Sequence, residues 1–184
     1  LKGVGKNLQD HLMFRPVYKL KNIKSLNRDV ESLYSKFLMG LQYILKQSGP
    51  ITMGASQVCA FTKSDPSRAT PNLQFHVQPL STDILGVTSM HNFEGITPTV
   101  ANIRPTSRGE INITSNDSRD NPKIKMNYLS TEDDRIVAAK SLKLVRKIML
   151  ETETFKKYQP EEYRPGVHIT DDEELVKAGS DFTQ

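Results

Sequence analysis

The sequence predicts an α+β domain with one antiparallel β-sheet of about five or six strands and helices packed on one face of that sheet. Two-residue alternation of apolar and polar residues is concentrated in the middle of the chain, whereas three- and four-residue spacing occurs at its flanks. This arrangement favours α+β over alternating α/β, in which strands and helices would follow one another in turn. A length of 184 residues corresponds to about one domain and is sufficient to bury a core without disulfides or metal.

The first third of the chain contains three predicted segments. Residues 1–10 are polar and rich in glycine, which indicates an arm or linker. Residues 11–20 predict a strand, and Pro16 in its middle restricts it to a sheet edge. Between residues 29 and 47 apolar side chains recur every three or four positions, and the sequence SGP follows, so we expect an amphipathic helix that ends there.

Five further strands are predicted in the central part of the chain. They span residues 56–62, 72–80, 97–104, 109–115 and 123–129, and Pro, Gly, Asp, Asn and Ser separate them. Residues 106–109 predict a tight connection between two adjacent antiparallel strands.

Two helices are predicted in the last third. Hydroxyl and acidic side chains at residues 130–133 favour a helix start, and one apolar stripe then continues to residue 150. Residues 170–173 are a second start signal, of the capping-box kind. We expect the helices at 29–47 and 131–150 to cover the apolar face of the sheet, against Phe75 and Ile103.

The composition excludes several classes of protein. The 25 Lys and Arg residues oppose 21 Asp and Glu residues, and this scattered excess lacks the basic and aromatic clusters of nucleic-acid-binding proteins. Cys59 alone cannot form a disulfide framework or a Cys-rich zinc site, and its apolar strand predicts an inert core thiol. No run of about 18 apolar residues predicts a membrane span. We therefore expect a domain of a reducing compartment, without a nucleic-acid partner.

Polar side chains occupy one register of the predicted strands. Alternation places His76, flanked by two glutamines at 74 and 78, on the face opposite Phe75. Gln57 is the polar residue of its strand, and Arg104 lies on the register opposite Ile103. Hence we expect Gln57, His76 and Arg104 on one sheet face, pointing away from both long helices. Such a face could simply meet water, as in many antiparallel sheets, but its amides, imidazole and guanidinium are also typical of a ligand-binding wall.

The residues alone show no catalytic machinery. Residues 3–7 (GVGKN) resemble the start of a dinucleotide fingerprint, but the third glycine and a preceding strand are lacking. The four histidines, at 11, 76, 91 and 168, show no pairing that would indicate a metal site, and no serine has the context of a nucleophile elbow. We expect neither a metal nor a catalytic residue in this chain.

Four motifs in a fixed order resemble the glucose–methanol–choline family of flavin alcohol oxidoreductases, in particular its choline-dehydrogenase-like members. They are residues 3–11 (GVGKNLQDH), 71–76 (PNLQFH), 104–111 (RPTSRGEI) and 122–129 (PKIKMNYL), with two aspartates following at 133 and 134. The resemblance implies that residues 1–184 are an excised substrate-binding domain whose sheet lies over the flavin of a separate Rossmann-type FAD domain. In that family the dinucleotide fingerprint precedes this stretch, and the catalytic histidine follows it.

The resemblance also implies roles for individual residues. Gln57, His76 and Arg104 become candidates for binding a small alcohol substrate. Residues 1–10 would be an arm from the FAD domain, so Asn7, Asp10 and His11 become candidates for binding the cofactor, FAD. Members that act on choline usually carry Glu where this chain has Gln57, which weakens the choline interpretation and leaves a neutral primary or polyol-type alcohol as at least an equal alternative.

The resemblance further implies a parent enzyme that transfers a hydride from the alcohol to FAD. We expect this enzyme in the cytoplasm or at the surface of the inner membrane. Both a monomer and a homo-oligomer stay open. The chain alone is expected to bind no FAD and to be inactive. Two other functions stay open: a free-standing module that binds a small ligand or a partner protein, and a structural domain with a solvated sheet face.

Overall fold

Nine strands and five helices make up the part of the chain described by the computed structural model, residues 1–54, 56–84 and 86–183. The strands are β1 (Lys6–Leu8), β2 (Met13–Phe14), β3 (Val17–Lys19), β4 (Val58–Thr62), β5 (Leu73–Gln78), β6 (Gly95–Asn102), β7 (Gly109–Asn112), β8 (Lys123–Lys125) and β9 (Glu161–Arg164). The helices are α1 (Leu26–Glu31), α2 (Leu33–Lys46), α3 (Glu132–Arg146), α4 (Glu153–Lys156) and α5 (Asp172–Ser180).

The main sheet contains six antiparallel strands in the order β4-β5-β6-β3-β9, with β2 also pairing with β6. β6 is the central strand, and all but its last residue are buried. The register places Phe75 of β5 between Ala60 of β4 and Val100 of β6. The predicted α+β class and the predicted number of strands are therefore confirmed.

Helix α3 covers one face of the main sheet, as the apolar stripe at 131–150 predicts. Thr131 begins the helix by accepting a hydrogen bond from the backbone N–H of Asp134. Val137 and Leu142 of α3 share a core with Phe75 and Val100, and α5 packs on α3. The helix continues as one π-helical turn, Lys147–Glu151, so the predicted end near residue 150 is also correct.

Helix α2 forms where a helix is predicted, but it does not cover the sheet. None of its residues is buried, and Leu33, Phe37 and Ile44 are 82%, 65% and 72% exposed. The preceding helix α1 is held near residues 81 and 91 by buried Asn27, which donates to the carbonyls of both. That anchor lies beyond the ends of β5 and β6, and the apolar side chains of α2 are exposed. The expectation that helix 29–47 packs against Phe75 and Ile103 is therefore wrong.

A second, three-stranded antiparallel sheet has the order β1-β7-β8. The segment 1–10 is thus not a free arm, because β1 pairs with β7 and Gly5 approaches so closely that a Cβ would lie 2.0 Å from the carbonyl oxygen of Ile111. Only glycine fits there, at a φ of +79°. The strands predicted at 109–115 and 123–129 also belong to this small sheet. Residues 103–108 therefore connect two sheets, rather than two neighbouring strands as predicted.

Candidate functional site

The face of the main sheet opposite α3, called here the polar face, carries side chains of β4, β5 and β6. Cys59 lies opposite His76, and His76 lies opposite Thr99, so these three side chains point to the same side. Gln57 precedes Cys59 by two positions and donates its backbone N–H to the carbonyl of Val77, which continues the β4 register. The structure thus brings Gln57 and His76 to one face, directed away from α3.

The polar face is buried near β2 and open at the edge strand β4. Gln78 is buried, accepts a hydrogen bond from Nη2 of Arg15 at 3.2 Å, and donates to Oγ of Ser56 at 3.3 Å. Thr99 is 2% exposed, and its Oγ1 is the buried side-chain polar atom for which the described residues provide no hydrogen-bond partner. At the open edge, Gln57 is exposed and its amide nitrogen lies 3.3 Å from Sδ of Met53.

Two residues of this face, Arg15 and Cys59, lie in environments that the sequence analysis did not anticipate. Arg15 is 4% exposed, and burial lowers the pKa of its guanidinium. The sequence feature that could have identified Arg15 is a charged residue inside an otherwise apolar segment. Cys59 is exposed rather than in the core, because β4 is an edge strand and its odd-numbered residues face away from α3.

Arg104 does not join Gln57 and His76, so the expectation that all three share a face is wrong. Strand β6 ends at Asn102, which lies opposite Leu73 and donates to Asp134 of α3. The chain then turns, and Nε of Arg104 donates to the carbonyl oxygen of Pro71 at 3.3 Å.

Arg104 instead lies beside two of the predicted cofactor residues, Asp10 and His11. Together with neighbouring residues they line an open cleft of about 580 Å³ between the β1–β2 connection and the loop 103–108, called here the arginine cleft. Asp10 accepts a hydrogen bond from the hydroxyl of Tyr128 at 2.5 Å. Partial burial and this carboxylate raise the pKa of Tyr128 to about 12. Asn7, the third predicted cofactor residue, lies in β1 and outside the cleft lining, with a φ of +63°.

The loop 103–108 is held in place by buried Asp134. Its carboxylate accepts hydrogen bonds from the backbone N–H groups of Thr106 at 2.9 Å and Ser107 at 2.8 Å. Burial opposes ionisation of Asp134, but these hydrogen bonds outweigh it and hold the pKa of the carboxyl below its usual value. Two separate polar sites therefore result, the polar face and the arginine cleft. Both contain side chains that carry hydrogen-bonding groups.

The described residues contain neither a cluster of metal ligands nor a membrane-spanning helix. No group of three or more His, Cys, Asp or Glu side chains there is arranged to hold a metal ion. None of the described helices combines the length and the apolar character needed to cross a membrane.

Comparisons with known proteins show what this architecture is similar to. Residues 105–183 match the family model described as GMC oxidoreductase. The oxygen-dependent choline dehydrogenase of Vibrio vulnificus is 34% identical over 175 residues, and that of Photobacterium profundum is 35% identical over 175 residues. Each alignment covers 95% of this chain, but only 31% and 30% of the respective relatives. The chain thus spans about a third of the length of these curated proteins.

Solved structures show the same fold over the whole chain. A formate oxidase variant from Aspergillus oryzae aligns with a TM-score of 0.86 at 20% identity, covering 100% of this chain and 36% of that one. An FAD-dependent oxidoreductase from Chaetomium thermophilum aligns with a TM-score of 0.80 at 17% identity, covering 100% and 37%.

Proposed function

We propose that this chain, whose residues 105–183 match the GMC oxidoreductase family model, is the substrate-binding domain of an FAD-dependent alcohol dehydrogenase. The parent enzyme would oxidise choline or another primary alcohol to the aldehyde. FAD, when bound, supplies the acceptor for the hydride. The observation that carries this proposal is the β4–β5–β6 register, which directs Gln57 and His76 to the same polar face.

The polar face would form the wall against which the alcohol binds. Gln57 and His76 provide an amide and an imidazole at the accessible part of the face, and both can hydrogen-bond to a hydroxyl group. Thr99, directly opposite His76, has a buried hydroxyl without a hydrogen-bond partner among the described residues, and an ordered water molecule can satisfy such a group. The neutral amide of Gln57 favours an uncharged alcohol, because a desolvated quaternary ammonium requires a carboxylate or an aromatic cage.

This chain would contact only one part of the cofactor. Asp10 and His11 line an open polar cleft, and Arg104, first predicted as a substrate residue, lies there with them. A cleft of about 580 Å³ suits part of a flavin nucleotide rather than all of FAD. All strand pairs of the described residues are antiparallel, whereas an ADP group binds at a parallel βαβ unit. A separate Rossmann-type domain of the parent protein would hold that part of FAD, with Asn7 as a further predicted contact.

Paired substitutions in the full-length enzyme test this proposal. Gln57→Ala and His76→Ala should each lower kcat/KM by about tenfold or more, because each removes a hydrogen bond to the bound alcohol. Val58→Ala is the matched control: it follows Gln57 directly and points to the other face of the same strand. Equal losses in all three variants, or a flavin that no alcohol reduces, would contradict the proposal. The second outcome would favour a non-catalytic binding module.

A further inference from the structure

The arginine cleft contains two guanidinium groups that serve neither the core nor an ion pair. Arg104 and Arg108 both line it, together with Asp10, His11 and Thr106. No carboxylate of the described residues forms a salt bridge with either arginine, although the ion pairs found elsewhere in the domain include Arg68, Arg119 and Arg146.

Each guanidinium is fixed along one edge by backbone carbonyls. Nε of Arg104 donates to the carbonyl of Pro71 at 3.3 Å. Nη1 of Arg108 donates to the carbonyls of Pro105 at 2.7 Å and Ser107 at 2.9 Å. Within the described part of the chain, both Nη groups of Arg104 and the Nε and Nη2 groups of Arg108 have no protein acceptor. These remaining N–H groups are available to a ligand in the cleft.

The backbone that carries both arginines is rigidly anchored. Asp134 accepts from the N–H groups of Thr106 and Ser107, and Oγ of Ser107 accepts from the N–H of Ser130 at 3.0 Å. A ligand would therefore meet guanidinium groups whose positions are already restricted, which reduces the entropy lost on binding.

The charge of the cleft is positive. Asp10 is its one carboxylate among the described lining residues, and the Tyr128 hydroxyl donates to it. Two guanidinium groups outweigh that single carboxylate. Planar guanidinium groups bind carboxylate and phosphate oxygens in a bidentate manner, and they do so more strongly than neutral donors.

We propose that the arginine cleft is an oxyanion-binding site, in which Arg104 and Arg108 together bind a phosphate or carboxylate group. This site is separate from the polar face. It lies in the cleft proposed above for part of the flavin nucleotide and so rests on and deepens that proposal, but its test by anion titration does not require alcohol oxidation. Its ligand would carry either a phosphate ester or a carboxylate, and the two sources share the same chemistry at the guanidinium groups.

Titration of the 184-residue chain with inorganic phosphate, and separately with acetate, tests the site by two-dimensional amide NMR. We expect saturable shifts in residues 9–11 and 103–108. Arg104→Gln and Arg108→Gln should each raise the Kd by about three- to tenfold, whereas Asp10→Asn should lower it, because it removes the opposing charge. Binding of phosphate alone identifies a phosphate ester as the natural source, and equal binding of acetate extends the site to carboxylates.

Arg119→Gln is the matched control, because Arg119 is an exposed arginine outside the cleft, paired with Asp117. If Arg119→Gln weakens phosphate binding as much as Arg104→Gln, only the net charge matters and the proposal is overturned. The absence of saturable shifts with both anions overturns it as well. Should a glutamine variant lose its dispersed spectrum, Arg104→Lys and Arg108→Lys retain the charge but not the bidentate geometry, and they should still weaken binding.

Discussion

Gln57 is the residue whose charge bears most directly on the choice of alcohol. Gln57→Glu should improve kcat/KM for choline relative to a neutral alcohol of similar size by about 5- to 150-fold, since a well-placed charge contact contributes roughly 1–3 kcal/mol. Arg104 lies in the arginine cleft rather than on the polar face, so it does not neutralise the new carboxylate. Steady-state kinetics of the full-length enzyme with both substrates measure the ratio. If the wild-type enzyme already has a much higher kcat/KM for choline than for the neutral alcohol, groups other than residue 57 hold the ammonium.

Asp134 is a second residue with a measurable role, in this case in stability. Asp134→Asn replaces an acceptor of backbone N–H groups by an amide, and should lower the free energy of unfolding at pH 7 by about 1–3 kcal/mol. Urea unfolding of both proteins measures this difference. Asp133→Asn is the control, because Asp133 lies next to it but forms a surface ion pair with Arg68, so its loss should cost less than about 1 kcal/mol.

The pH dependence of the same carboxyl follows from the sign of its shift. The folded-state pKa of Asp134 lies below its ordinary value, so the folded state stabilises the ionised form. This contribution is fully present above the unfolded-state pKa of about 3.9 and is lost as the pH falls through the folded-state pKa. The stability difference between wild type and Asp134→Asn should therefore shrink as the pH is lowered from 7 towards 3. A stability difference that does not change with pH would contradict the conclusion that folding stabilises the ionised form of Asp134.

At the scale of elements, strand β9 and helix α3 are joined by a buried ion pair. The side chain of Glu162 is fully buried and accepts three hydrogen bonds from Arg146, and the hydroxyl of Tyr18 also donates to it. Arg146→Ala should destabilise the domain by about 3–5 kcal/mol, because it leaves a buried carboxylate without its cation. Thermal and urea unfolding measure this effect. Arg135→Ala, which removes an exposed arginine of the same helix, should change little.

These elements also show where sequence patterns suffice. Alternation in 72–78 and the three- and four-residue spacing in 131–150 predict β5 and α3 because both bury an apolar face. Strand β9 has the sequence EEYR, without alternation, and its burial depends on the distant Arg146. Polar β1 is likewise a strand only because β7 lies beside it. Arg104 was misplaced because periodicity within one strand does not fix the register between strands: Thr99 lies opposite His76, so the even-numbered residues of β6 face α3 and Arg104 has their parity.

Helix α2 allows a direct test of its outward orientation. Phe37→Gln combined with Ile44→Gln should leave the Tm within a few degrees of wild type, because both side chains are largely exposed. Leu142→Ala in buried α3 is the comparison, with an expected loss of about 2–5 kcal/mol. Calorimetry on the 184-residue chain measures all three proteins. Strong destabilisation by the α2 substitutions would show that its apolar stripe packs against the sheet after all.

At the scale of the whole molecule, three accessible surfaces support the proposal that this domain is one part of a larger protein. The apolar stripe of α2, the open edge of the polar face and the arginine cleft are all accessible. Large contiguous apolar patches on protein surfaces mark sites of interaction with proteins, membranes or ligands. The related choline dehydrogenases are about three times as long as this chain. This supports the proposal that a flavin-binding domain completes the active site.

The isolated chain should consequently contain no FAD and should oxidise no alcohol. FAD binding depends on phosphate contacts at a helix N-terminus within a parallel βαβ unit, whereas this chain pairs its described strands in antiparallel fashion. Visible absorption of the purified chain, equilibrium dialysis against FAD and alcohol-dependent dye reduction test this expectation. The full-length protein from the same gene is the positive control, and it should be yellow and reducible by its alcohol. A yellow 184-residue chain would show instead that the arginine cleft and the polar face together hold the cofactor unaided.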